Sequence, residues 1–212
     1  MGLYVDTADM DDVRRAMALG FITGVTTNPA LIAKVGRPGL DVLMDVLALT
    51  TGPVFYQVTA ETVEGRAAQA REVSQMAPER VFVKIPATTE NLALAARLAR
   101  EGILCAITAV SSPSQAYLSA LAGAAYTIPY VNRLTRELGD GIAILRDCVA
   151  ITRNTGTKVF AASLKTVDEV VAAVLAGAEN ITIPLDLILA LGDHPLSQKA
   201  IEDFAAQPFR HS

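Results

Sequence analysis

The chain has 212 residues, 51% of them hydrophobic and 19% charged, which suits one domain able to bury a sizeable core. Its formal net charge of −4 argues against a general nucleic-acid partner, although a local basic group can still hold a phosphate. The cysteines, Cys105 and Cys148, form no CxxC, the only histidines are His194 and His211, and no metal site is expected.

In chain order the candidate strands are "GLYVDT" (2–7), "GVTTN" (24–28), "VFYQVT" (54–59), "VFVKI" (81–85), "LCAITAV" (104–110), "YTIPYV" (126–131), "KVFAAS" (158–163) and "NITIPL" (180–185). Between them lie Ala-, Leu- and Arg-rich stretches with helical spacing. The clearest is "TTENLALAARLAREG" (88–102), with Thr88 or Thr89 as N-cap and Gly102 past its end. "TVEGRAAQAREVSQMAP" and "TVDEVVAAVLAGAEN" repeat the same grammar. Strands alternating with helices imply βα units and a parallel sheet covered by helices. Eight of them favour a single closed (β/α)8 TIM barrel over an open doubly wound sheet, and neither GxGxxG nor GxxxxGK[ST] occurs. Residues 1–212 read as one barrel domain, in which 195–212 ("HPLSQKAIEDFAAQPFRHS" from 194) adds an extra C-terminal helix. No apolar run is long enough to cross a bilayer, and too few residues precede "VDT" for a signal peptide. A cytoplasmic location with reduced thiols is therefore expected, and Cys105 reads as core.

Lys84 stands out. Val81, Phe82 and Val83 form a buried strand by composition, and Pro86, with no N–H, is expected to turn the chain. Taken alone, Lys84 would be a strand-end lysine whose stem packs and whose ammonium reaches water. The barrel changes that reading, because its active sites lie at the C-terminal ends of the strands. The polar residues there are Asp6, Thr26, Asn28, Gln57, Thr59, Lys84, Thr108, Tyr130, Asn132, Arg133, Ser163, Lys165 and Asp186. Each has a plain explanation: Asp6, Ser163 and Asp186 as helix caps, Asn28 before Pro29 as a turn residue, Tyr130 packed beside Pro129. Together they share one mouth, where an enclosed lysine needs carboxylate or hydroxyl partners. An amine attacks a ketone only when neutral, and burial disfavours the charged form. The iminium then acts as an electron sink for C–C cleavage without a metal.

"LYVDT", "GVTTNP", "VKIP", "TAV", "PYVNR", "ASLKT" and "IPLD" follow one another through almost the whole chain, and in this order and spacing the sequence resembles the transaldolase family. It is most similar to the short branch, fructose-6-phosphate aldolase. The pairing of "VTTNP" with "VKIP" carries most of the specificity. The resemblance implies that Lys84 is the Schiff-base lysine, that Asp6 contacts a substrate hydroxyl and handles protons, and that Thr108 positions a catalytic water. It implies that Asn28, with Thr26 beside it, holds the donor, and that Arg133 and Ser163 receive the substrate phosphate, with Lys165 as a weaker third. Arg133 suits that role, since guanidinium binds phosphate bidentately. The resemblance further implies no cofactor, sugar phosphates and ketone donors as small-molecule partners, and a homodecamer of two pentamers in which the terminal helix packs on a neighbour.

Two positions separate aldolase from transaldolase. Transaldolases of this family typically carry glutamate on the third strand and phenylalanine before the basic residue after strand six; "FYQVTA" and "IPYVNR" place Gln57 and Tyr130 there instead, as in the aldolase branch. A phenol can move a proton and a phenyl cannot. The expected activity is therefore a class I aldolase interconverting fructose 6-phosphate with dihydroxyacetone and glyceraldehyde 3-phosphate. A small transaldolase is the alternative, and a non-catalytic sugar-phosphate-binding barrel the second. Ile128 replaces a small residue and is expected to crowd the donor's hydroxymethyl group. Ser111, Thr135 and Leu164 also depart from the family pattern. In "SQKAIEDFAA" one helical face collects Ala200, Ile201, Phe204 and Ala205; the stripe alone favours packing on its own barrel, the resemblance packing on a neighbour.

Overall fold

Strand and helix alternate from Gly2 to Ala205 in a computed structural model, which describes residues 1–207. Strand β1 (Gly2–Asp6) leads into α1 (Met10–Ala18), and β2 (Gly24–Thr26) into α2 (Pro29–Val35) and α3 (Gly39–Leu49). Next come β3 (Val54–Gln57), α4 (Val63–Met76), β4 (Val81–Pro86), α5 (Thr89–Arg100), β5 (Cys105–Val110) and α6 (Pro113–Leu121). Then β6 (Tyr126–Pro129) precedes α7 (Val131–Leu138) and α8 (Gly141–Thr152), β7 (Lys158–Ala161) precedes α9 (Val167–Leu175), and β8 (Asn180–Ile183) precedes α10 (Leu185–Gly192) and α11 (Pro195–Ala205). The eight parallel strands close in sequence order, β8 pairing back onto β1. This is the (β/α)8 barrel that the alternation predicts.

Because side chains alternate across a strand, each strand divides its apolar residues between two cores. Val5, Val25, Val54, Val81, Val83, Ile85, Ile107, Val159 and Ile183 face the helices. Tyr4, Phe55, Phe82, Ala106, Ile128, Phe160 and Ala162 fill the barrel itself. Phe55 stacks on Phe82 with ring centroids 4.8 Å apart, and Phe160 meets Phe55 edge-on at 5.0 Å and Tyr4 at 4.7 Å. Gly24 is required on this face, since a Cβ there would run into the Pro53 carbonyl and the Tyr4 ring. These aromatic side chains form a plug inside the barrel, below the C-terminal ends of the strands.

Six of the predicted strands end one or two residues early; after β2, β6 and β8 the residues beyond the strand start the next helix, and after β1, β3 and β7 they lie in the connecting loop. Asn28 is the N-cap of α2, its side chain accepting from Leu31 N, and Tyr130 occupies the N-cap position of α7. β4 instead runs one residue longer than expected. Pro86 pairs with Thr108 as its last residue, and the chain turns only after it. Thr88 is the N-cap of α5, accepting from Asn91 N, and Gly102 follows with φ +82°. The capping explanations for Asp6, Ser163 and Asp186 do not hold. Asp9 caps α1, Thr166 caps α9, and Pro184 stands before α10, with Asp186 already in its first turn.

The terminal helix corrects a further expectation. No residue of α11 is buried, and Leu196, Ile201 and Phe204 are 70%, 60% and 74% exposed. The apolar stripe therefore does not pack on its own barrel. The remainder of the predicted tail, 208–212, lies outside the described residues.

Candidate active site

The pleat that fills the barrel also builds the site. Two residues beyond Tyr4, Phe55, Phe82, Ala106 and Ile128 come Asp6, Gln57, Lys84, Thr108 and Tyr130, on the same inner face and one layer higher. An apolar floor thus carries a polar layer, and above it lies a cavity of about 440 Å³, an ordinary size for a small-molecule site. Asp6, Thr26, Asn28, Gln57, Lys84, Thr108, Tyr130, Arg133, Ser163 and Lys165 all line it. The strand-end list is not uniform, however. Thr59 is exposed while its backbone N–H bonds Gln69, Asn132 turns to Glu169, and Asp186 Oδ1 accepts from Leu187 N, so these three stand outside the cavity.

Lys84 is only 5% exposed, so its ammonium end does not run out to bulk water. Neighbouring Gln57 and Ala106 are its register partners on β3 and β5. Ala106 is small, which leaves room for the lysine stem. Nζ donates to the Thr27 carbonyl at 2.8 Å. The expected carboxylate or hydroxyl partner is replaced by a backbone oxygen. Among the described residues no carboxylate lies within 4.0 Å of Nζ. This backbone oxygen anchors the amine at the wall of the cavity that Lys84 lines.

Asp6 ends β1, three strands round the barrel from Lys84. Its Oδ1 accepts from Thr26 Oγ1 at 2.7 Å, and Thr26 Oγ1 is 2.6 Å from Thr182 Oγ1. A hydroxyl has one proton to give, so with Thr26 donating to Asp6, Thr182 donates to Thr26. The chain Thr182 to Thr26 to Asp6 fixes the carboxylate and leaves its second oxygen available. Thr182 was not among the predicted site residues. Its signal was a lone threonine between two isoleucines in "NITI", in register with inward-facing Tyr4.

On the far side Thr108 Oγ1 and the Tyr130 hydroxyl lie 2.8 Å apart. The Arg133 guanidinium carbon stands 4.8 Å from the centroid of the Tyr130 ring, a cation–π contact that steadies both groups. Two lining residues, Ala109 and Ser163, have φ of 55° and 58°. Left-handed backbone costs a non-glycine residue roughly 1–2 kcal/mol, and such strain concentrates at functional sites. Ala109 coincides with a register shift between β5 and β6; this bulge turns the strand end beside Thr108. Neither backbone feature leaves a mark in composition or periodicity.

Among the described residues no group of three or more His, Cys, Asp or Glu is placed to hold a metal ion. Burial pushes both thiols up to about 12, reinforced by the charge of Glu101 at Cys105 and of Asp147 at Cys148, and neither thiol lines the cavity. No described helix is long and apolar enough to cross a membrane.

Fold and site together define a barrel enzyme with one enclosed lysine amid hydroxyl, amide and carboxylate groups. The family model described as "Transaldolase/Fructose-6-phosphate aldolase" matches residues 3–212. A protein of Symbiobacterium thermophilum named "Probable transaldolase" is 39% identical over 206 residues, covering 96% of this chain and 95% of its own. Proteins of the same name from Heliobacterium modesticaldum and Anaeromyxobacter dehalogenans are each 40% identical, over 96% and 97% of this chain and 95% of theirs. The chain belongs to the transaldolase/fructose-6-phosphate aldolase family, a family of enzymes of carbohydrate metabolism.

Proposed function

We propose that the protein is a class I aldolase that cleaves and forms fructose 6-phosphate through a Schiff base on Lys84. The neutral amine attacks the C2 carbonyl, and loss of water gives an iminium. Asp6 takes the proton of the C4 hydroxyl as the C3–C4 bond breaks and its electron pair passes to the iminium nitrogen. Glyceraldehyde 3-phosphate leaves, and the enamine of dihydroxyacetone remains on Lys84. Protonation of the enamine carbon, followed by addition of water and expulsion of the amine, releases dihydroxyacetone and restores Lys84. Tyr130 and Thr108 handle the later protons through a water held with Gln57. Asn28 and Thr26 hold the donor hydroxyls, and Arg133, Ser163 and Lys165 receive the phosphate.

The observation that carries this reading is the Thr108–Tyr130 hydroxyl pair at 2.8 Å in the cavity of Lys84. It supplies an exchangeable proton where a phenyl ring would supply none. The second reading is a small transaldolase, favoured by the name "Probable transaldolase" carried by relatives about 40% identical. Paired assays of fructose 6-phosphate cleavage with and without erythrose 4-phosphate separate the two. Release of free dihydroxyacetone without the acceptor supports the aldolase; turnover only with it replaces this reading by transfer.

The assembly implied by family resemblance, a decamer of two pentamers with the terminal helix on a neighbour, belongs to the same proposal. The exposure of Leu196, Ile201 and Phe204 supports burial of that stripe on another copy.

A further inference from the structure

Glu169 has an ordinary explanation that its geometry does not satisfy. "TVDE" (166–169) reads as a capping box, and Thr166 Oγ1 accepts from Glu169 N at 3.1 Å as such a box requires. In the usual box the glutamate returns to the N–H of the cap residue itself. Here Oε2 accepts instead from Lys165 N, one residue earlier, at 2.6 Å, and Oε1 accepts from Asn132 Nδ2 at 2.6 Å. The two oxygens of one carboxylate therefore join the β7–α9 loop to the first turn of α7. That loop carries Ser163 and Lys165, and that turn carries Arg133, all three of which line the cavity. Asn132 N also donates to the Ser163 carbonyl at 2.9 Å, and Ser163 is held at φ 58°, a conformation that persists only where its surroundings enforce it. Among the described residues Glu169 forms no salt bridge, so neither Arg133 nor Lys165 is tied up by its carboxylate.

We propose that Glu169 is a positioning residue that fixes the separation of Arg133 from Ser163 and Lys165, and so sets the affinity of the site for a phosphorylated acceptor. The proposal rests on the phosphate role given above to those three residues. Both partners of the carboxylate are N–H donors, so Glu169→Gln can satisfy only one of them and turns an NH2 group against the other. Hydrogen bonds to charged groups are the stronger ones, and their loss is worth about tenfold in an equilibrium constant. In Glu169→Gln, KM for glyceraldehyde 3-phosphate in the synthesis direction rises about tenfold. Constants for unphosphorylated glyceraldehyde stay within about twofold, because only the phosphate contacts shift.

Asn132→Asp combined with Glu169→Gln rebuilds the link with reversed polarity. The new amide oxygen takes the Lys165 N–H, and its NH2 donates to the new carboxylate at position 132. This double variant recovers most of the lost affinity, which a merely stabilising role would not predict. Equal losses for both aldehydes, no loss in the single variant, or no recovery in the double overturns the proposal. Arg133→Ala, run beside them, tests the premise. If it discriminates between the aldehydes and Glu169→Gln does not, only the positioning role fails; if Arg133→Ala does not discriminate, the phosphate site fails and the proposal with it.

Discussion

At the scale of single residues, the Tyr130 hydroxyl separates an aldolase from a transaldolase. Tyr130→Phe removes one oxygen from a pair otherwise anchored by Thr108 and changes little volume. General acid–base help is typically worth about 10²- to 10⁴-fold, so free aldolase turnover falls by that order while thermal stability changes little. Initial rates of dihydroxyacetone release and a melting curve check both halves. Ile128 makes the opposite kind of statement. It is in register with Thr108, 2% exposed, and among the described residues the only large aliphatic side chain lining the cavity. Ile128→Ala is expected to lower KM for dihydroxyacetone more than for hydroxyacetone, because the added space serves the extra hydroxyl. Core truncation of this kind costs about 2–5 kcal/mol of stability, and denaturant titration measures it. The buried thiols give a negative control. With Cys105 and Cys148 both pushed up to about 12, almost no thiolate forms at pH 8. A maleimide or iodoacetamide time course on the folded protein is therefore expected to label neither, whereas labelling in denaturant is rapid.

At the scale of elements, the loop after β4 shows how helix starts hold the site. Thr88 accepts from Asn91 N at 3.2 Å, and Asn91 Nδ2 donates to the Pro86 carbonyl at 2.9 Å. One cap therefore fixes both the beginning of α5 and the end of the strand that carries Lys84. Thr88→Ala is expected to cost about 1 kcal/mol, read as a shift of the urea midpoint at unchanged slope. Element order was legible in the sequence because period-2 apolar runs and Ser, Thr or Asp caps are local signals. Strand ends were not. Asn28 and Tyr130 fall within the predicted strand ranges, yet they occupy helix starts because the backbone turns there. The longer β4 misled for the reverse reason. Pro86 needs no N–H partner at the final rung, and its carbonyl is taken by Thr88 N and the Asn91 side chain. The inward row was legible once a barrel was assumed, since Asp6, Gln57, Lys84, Thr108 and Tyr130 follow from parity. Thr182 was hidden by its isoleucine neighbours. The Thr27 carbonyl and the bulge at Ala109 are backbone features, and Glu169 was masked by a capping pattern that it satisfies only in part.

At the scale of the whole molecule, closure of the sheet makes the reading coherent. Asp6 and Lys84 are far apart in sequence, and ring closure brings both to one 440 Å³ cavity above an aromatic plug. The same closure leaves α11 outside, its apolar stripe facing solvent. Truncation before Leu196 is expected to reduce the assembly to smaller species in light scattering, with the barrel still folded by circular dichroism. An unchanged mass distribution would remove α11 from the interface.

The central claim is that Lys84 carries the covalent intermediate. It is tested most directly by incubating the protein with fructose 6-phosphate or dihydroxyacetone and borohydride, followed by intact mass and peptide mapping. One reduced three-carbon adduct located on Lys84, and absent from Lys84→Met, is the expected result. An adduct on Lys34, Lys158 or Lys165 instead, or no adduct in a protein that turns over substrate, would contradict it.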